Sequence, residues 1–459
     1  MKIITVENNI KNGKWKAIPR EEFLCANDIK KVIGTSKKRS QKLKVLIFLN
    51  HFAVRLVRLI KIMQAPLVSQ TENEKHVPNM DVAQKAYEYE LENKKGNKDK
   101  AEILKNELIE VISEEEMGEY YEKICNEYEW DIDTEFLESL KTKNTTKLEE
   151  FEKKLADAKE NQGDMEVLDV LFSKARYLSQ IGSWKAALNN YDIILEGKKT
   201  TSGKKIDASL EKCRIALFNS DLKKMKDFVE ASRNLIDKGG DWDRRNRLKI
   251  YEALYFLLRR DIKSASKLLL ECVATFTCVE LCSYEKFMFY AVLTNVMCLS
   301  RTELNKKVVK DSQVVSTIKE GNVQHIDTFL KSIHDCDYNK FFISLLNIHP
   351  NIEQDRYLGP HSNYILREYR ILAYSQFLEA YKSVMLSSMA SSFGIDVQML
   401  DVELARFIAA GRLNAKIDKV GDVVQTVRPE KKSAQYQEII KTGDVLLNSI
   451  QRLARVLDA

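Results

Sequence analysis

The chain of 459 residues is long enough for about three folding units, each able to bury its own core. With 44% apolar and 31% charged residues but only 16 Gly and 6 Pro, it is neither disordered nor collagen-like and reads as soluble and helix-rich. The formal charge of +6 hides an asymmetry: residues 1–62 hold fifteen Lys/Arg against four Asp/Glu, a leader of +11, while the remainder carries −5 and offers no broad phosphate-binding body.

Residues 1–76 form a basic N-terminal extension. Its most apolar stretch, residues 45–63 (VLIFLNHFAVRLVRLIKIM), would put Arg55, Arg58 and Lys61 into hydrocarbon if it crossed a bilayer, so a transmembrane span is rejected. Three readings of this leader stay open: a basic amphipathic or targeting segment, a poorly ordered extension, and a translation start placed too far upstream. From residue 77 to 165 the pattern is an N-terminal helical region, and no proline between Pro78 and Pro350 interrupts long stacked helices. Within it, residues 147–159 are strongly charged, with Leu148, Phe151 and Leu155 forming one narrow apolar stripe that must pack on a neighbour.

Residues 166–320 carry a degenerate repeat. Three segments place a small residue seven positions before a turn and a small or apolar residue after it: Ala175, Gly182, Ala187 and Tyr191; Cys213, Ser220, Met225 and Val229; Ala253, Arg260, Ala265 and Leu269. The turns at 182, 220 and 260 are 38 and 40 residues apart, the spacing of tetratricopeptide-like helical hairpins, each of which exposes an apolar face that the next one covers. The second segment departs from regular arrays by using Cys213 and Met225. Gly239 and Gly240 predict a helix–helix corner, with Asp241 or Asp243 capping the next helix. Beyond it, Arg244, Arg245, Arg247 and Lys249 read either as a solvated face or as a site for a neighbour's carboxylates, beside Trp242 as an anchor or a core residue.

Residues 321–385 continue as helix, with 369–390 a further helical stretch. In 386–430, a turn at Gly394, a helix begun at Asp396 with Leu400, Leu404, Phe407 and Ile408 on one face, a stop at Gly411, and short strands at 413–417 and 423–427 predict a winged helix with a two-stranded wing. Its second helix offers Asp401, Glu403 and Arg406; the two acidic groups disfavour nucleic acid, and the wing strand is better read as an edge that an adjacent strand extends. Residues 431–459 form a terminal helix whose Tyr436, Ile439, Gly443, Leu446, Ile450, Leu453 and Leu457 step by three and four, a seam that needs partner helices.

Chemistry is poorly provided for. The segment 197–203 is one residue too long for a phosphate-binding loop and is followed by Lys204-Lys205, and the six histidines include no His-x-His or HExxH pair. Eight cysteines in apolar contexts imply reduced thiols; Cys272, Cys278 and Cys282 read as core rather than zinc ligands, and His334 with Cys336 lacks an orienting partner for a dyad. No catalytic residue, metal or cofactor is assigned.

The whole is an all-α solenoid of tetratricopeptide-like repeats, followed by a winged helix and a C-terminal amphipathic helix. That order resembles the PCI-domain scaffold proteins of the proteasome lid, the signalosome and translation-initiation complexes. Residues 239–249 (GGDWDRRNRLK), 406–413 (RFIAAGRL) and 416–420 (KIDKV) narrow the resemblance to the PCI subunits of the proteasome lid, and 436–444 and 77–90 extend it over residues 77–459. The resemblance implies a noncatalytic subunit in a hetero-oligomer, in the cytoplasm and nucleus. Its partners would be other lid PCI subunits, the deubiquitinating subunit and the ATPase base, with no nucleic acid and no membrane. A signalosome or RNA-associated translation-initiation scaffold is the alternative. The interface candidates are Trp242, Arg244, Arg245, Arg247, Lys249, Arg412, Lys416, Ile439, Leu446, Ile450, Leu453 and Leu457.

Overall fold

The computed structural model describes residues 76–427, apart from 162, 198–199 and 321–323, together with 431–457. The leader up to residue 75, with its apolar stretch at 45–63, lies outside the described residues. Asn79 accepts a hydrogen bond from the Asp81 amide (3.0 Å) and starts α1 (Met80–Lys95), which stops where Gly96 takes φ 78°. Helices α2 (Lys98–Glu114) and α3 (Gly118–Tyr128) follow, then the 28-residue α4 (Thr134–Asn161). Of α4 only Leu140, Asn144 and Ala158 are buried; of the expected stripe, Leu148 and Phe151 pack on the first hairpin, while Leu155 is half-buried outside that cluster.

The hairpins are α5 (Asp164–Gln180) with α6 (Trp184–Glu196), α7 (Ser202–Phe218) with α8 (Leu222–Asp237), and α9 (Trp242–Leu258) with α10 (Ile262–Cys272). Gly182, Ser220 and Arg260 all adopt positive φ (88°, 53° and 65°), so the backbone reverses where the spacing predicts. Ala175, Ala187, Tyr191, Cys213, Ala253 and Ala265 are fully buried, with Met225, Val229 and Leu269 nearly so. Small residues let the paired helices approach, and each large apolar side chain buried between them contributes roughly 1.5–3 kcal/mol. Asp221 and Asp261 cap the second helices of their hairpins by accepting from the amides of Lys224 (3.2 Å) and Ser264 (3.3 Å).

After α10 a loop leads into α11 (Tyr284–Cys298), in which residues 287–296 are buried on every side, the mark of a central pillar. A short α12 (Arg301–Leu304), a π-helical turn (Asn305–Val309), α13 (Ser312–Glu320), α14 (Gln324–Asp335), α15 (Tyr338–Gln354) and α16 (Ser362–Ala380) complete the helical half. A fourth turn of the repeat type joins α14 to α15. There Cys336 takes φ 62° and Asp337 accepts from the Lys340 amide (3.3 Å), but the helices meet through stacked Phe329 and Phe341 (4.9 Å) instead of small residues.

One helical expectation fails. The stretch 369–390 is broken after Ala380, where Tyr381 becomes extended and β1 (Ser383–Met385) forms before α17 (Leu386–Phe393). Helix α18 (Val397–Ala409), β2 (Ala415–Asp418) and β3 (Val423–Thr426) follow, and the wing has three strands in the order β1-β3-β2, not two. The extra strand is held by antiparallel pairing of Val384 with Val424 and by the Thr426 amide on Lys382 O (2.9 Å), contacts 40 and 44 residues apart in the chain. Helix α19 (Lys431–Leu457) closes the described chain. No helix among the described residues is long and apolar enough to cross a membrane.

Candidate interaction surfaces

The corner at 239–249 forms because two glycines are needed there. Gly239 takes φ 151°, and a Cβ on Gly240 would come within 2.8 Å of Ile236 Cγ2 and 2.9 Å of its Cα. Asp241 occupies the cap position of α9 without capping it, since its carboxylate accepts from Arg244 instead; this corrects the expected cap. Arg244 also forks onto Asp207 (Nε to Oδ1 2.9 Å, Nη2 to Oδ2 2.7 Å), Arg247 donates to Glu280 (2.7 Å), and Lys249 to Glu271 (2.8 Å). Three of the four cations thus serve the chain's own packing. Arg245 is exposed and forms no ion pair among the described residues, and Trp242 stands 63% exposed, not in the core.

Behind the corner lies a buried charge network that linear reading missed. The Glu280 carboxylate accepts from Arg247 and from the Tyr251 hydroxyl (2.7 Å), with Arg214 at 3.7 Å. Burial alone would raise its pKa; the charges of Arg214 and Arg247 and the bonds from Arg247 and Tyr251 overcome that and hold it down at about 2. Arg214 also faces Glu211 (3.8 Å), which accepts from Arg176 (2.9 Å), so the network crosses α5, α7, α9 and the loop before α11.

On the winged helix the acidic residues of α18 are tied inward: Glu403 accepts from Arg370 and the Tyr374 hydroxyl (2.8 Å), and Asp401 from Lys419. The outward face is carried by Gln398, Met399, Val402 and Arg406. Gly411 takes φ 68°, and the amides of Gly411 and Arg412 reach Ile408 O and Phe407 O (both 2.9 Å), a Schellman stop as the sequence predicts. Arg412 forks onto Glu368, whereas Lys416 is exposed on β2, an edge strand of the sheet.

Every described side chain of α19 is exposed. Tyr436, Ile439, Leu446, Ile450 and Leu453 of the seam, with Ile440, Val445, Leu447 and Val456, stand 55 to 73% in solvent; the Leu457 side chain lies outside the described residues. The apolar face is therefore wider than the seam read from the sequence, because Ile440 and Leu447 add a flanking row seven apart. Cys272, Cys278 and Cys282 are buried, and burial pushes their thiols up, to about 11 for Cys272 and about 12 for Cys282. The His334 ring pairs with Asp335 (2.9 Å), while Cys336 Sγ meets Gln376 Nε2 (3.2 Å), so the two do not face one another as a dyad. No group of three or more His, Cys, Asp or Glu among the described residues could hold a metal ion.

Stacked helical hairpins leading into a winged helix and a free terminal helix define a PCI-type helical chain, and the PCI domain model matches residues 345–428. The model for 26S proteasome subunit RPN7 matches residues 133–307, and that for the 26S proteasome regulatory subunit RPN7/PSMD6 C-terminal helix matches 435–457. The chain is 41% identical over 355 residues to the 26S proteasome non-ATPase regulatory subunit 6 homolog of Arabidopsis thaliana, covering 77% of this chain and 91% of that protein. It is 37% identical over 387 residues to the Dictyostelium discoideum 26S proteasome non-ATPase regulatory subunit 6 (84% and 99% covered) and 35% over 415 residues to the Saccharomyces cerevisiae 26S proteasome regulatory subunit RPN7 (85% and 96%). The chain belongs to the 26S proteasome non-ATPase regulatory subunit 6 (RPN7) family.

Proposed function

We propose that this chain is a noncatalytic structural subunit of the lid of the 26S proteasome regulatory particle, and that it scaffolds lid assembly for ubiquitin-dependent protein degradation. The observation that carries this is α19: a 27-residue helix with nine described large apolar side chains in water is a stable design only when partner helices cover it. The partners in this reading are the other PCI subunits of the lid, through the winged-helix sheet edge and the α19 face, with the deubiquitinating subunit and the ATPase base in the same particle in cytoplasm and nucleus. Trp242 and Arg245 present a second contact, an aromatic anchor beside a cation left free by its neighbours. Family membership favours this over an RNA-associated scaffold.

The test is affinity purification of the natively expressed, tagged protein with mass spectrometry of what accompanies it. Stoichiometric lid and ATPase subunits support the reading, and signalosome or ribosomal partners overturn it. Leu446→Asp with Leu453→Asp should abolish that recovery while circular dichroism shows an intact fold; normal incorporation of the double variant would remove α19 from the argument.

A further inference from the structure

We propose that the C-terminal end of α15 and the connector to α16, residues 353–361 together, form a clasp that fastens the helical half to two successive repeat hairpins and to α1 as one cooperative unit. Arg356 donates through Nη2 to Phe218 O and to Ser220 Oγ (2.8 Å), and His361 Nε2 donates to Leu258 O (3.0 Å). Phe218 and Leu258 are equivalent positions 40 residues apart: each is the last residue of the first helix of its hairpin, just before the positive-φ turn. Carbonyls at a helix C-terminus lack intrahelical partners and carry the negative end of the dipole, so a guanidinium and an imidazole N–H are suited to both.

The same segment grips α1. The Gln84 amide bonds Gln354 O (2.7 Å) and accepts from the Arg356 amide (3.1 Å), while Lys95 pairs with Glu353 (2.6 Å). The connector is itself stiff. Asp355, buried, accepts from the amides of Tyr357 (2.8 Å) and Leu358 (3.0 Å) and from the Tyr290 hydroxyl of α11, and a Cβ on Gly359 would lie 2.2 Å from Tyr87 Oη. A stiff segment with fixed posts on both turns cannot release one without straining the other.

Hydrogen exchange of the full-length protein, read by mass spectrometry, tests this. Arg356→Ala should raise exchange roughly tenfold at residues 217–222, the scale of one lost charge-assisted bond, and also at 257–262, where no bond has been removed. His361→Ala should act reciprocally on 217–222. If each substitution loosens only its own turn, the contacts are independent and the clasp is refuted. Should Arg356→Ala fail to fold, Ser220→Ala, which removes a single acceptor, carries the same comparison with a smaller rise at both turns expected.

Discussion

Glu280 and Arg245 sit on opposite sides of one question, which charges a fold keeps for itself. Glu280 is buried with Arg214 and Arg247, and removing one partner of such a group leaves the others uncompensated. Glu280→Gln should therefore cost roughly 3–5 kcal/mol in urea unfolding. Because the folded carboxyl is held at about 2, below its ordinary 4.5, its contribution is fully present above about 4.5 and is lost as pH falls through about 2. The stability gap between the parent and Glu280→Gln should narrow over that interval and stay constant above it, as midpoints measured across pH would reveal. Arg245 has no such duty, so Arg245→Glu should leave the melting temperature unchanged and weaken co-purification with partner subunits; unchanged recovery would return it to the solvated surface. In the sequence, Arg244, Arg245, Arg247 and Lys249 look alike. What separates them are Asp207, Glu280 and Glu271, whose separations of 37, 33 and 22 residues no local pattern can span.

At the scale of elements, the parts written in local chemistry were legible and the parts created by distant pairing were not. The turns at 182, 220 and 260 follow from small residues at fixed offsets, and Gly411 from its place after an apolar face. The turn at Cys336 escaped because Phe329 and Phe341 replace the small residues that mark the other three. Strand β1 escaped because three residues carry too little pattern and owe their conformation to β3. Two glycines differ in a way that stability measurements can separate. Gly411 has open space where a Cβ would go, so Gly411→Ala should cost only the left-handed penalty, about 1–2 kcal/mol. Gly240→Ala carries no left-handed penalty but must push its Cβ to within 2.9 Å of Ile236 Cα, and should cost more. Equal losses would mean that the corner relaxes more freely than its packing implies.

At the scale of the molecule, the body and α19 divide the work. The body's apolar side chains form two core clusters, one running from α1 to the winged helix and one holding the first hairpin against α7, whereas the described side chains of α19 all face water. Ending the chain at residue 430 should therefore leave the thermal transition of the body within about 2 °C, while abolishing recovery of partner subunits; a large fall in melting temperature would mean that α19 packs on the body in solution. Most of this division was visible beforehand, since a heptad seam announces a missing partner. Its flanking row is less plain, because Ile440 and Leu447 lie beside the heptad positions and not on them.

That free helix has a consequence for supply. A copy made before its partners, or in excess of them, displays a row of Ile, Leu and Val that solvent cannot accommodate, and its self-association grows with its own concentration. Orphan copies are thus chemically distinguishable from assembled ones by the same side chains that assembly hides, and matched production of the neighbouring chains becomes a condition of keeping this one in solution.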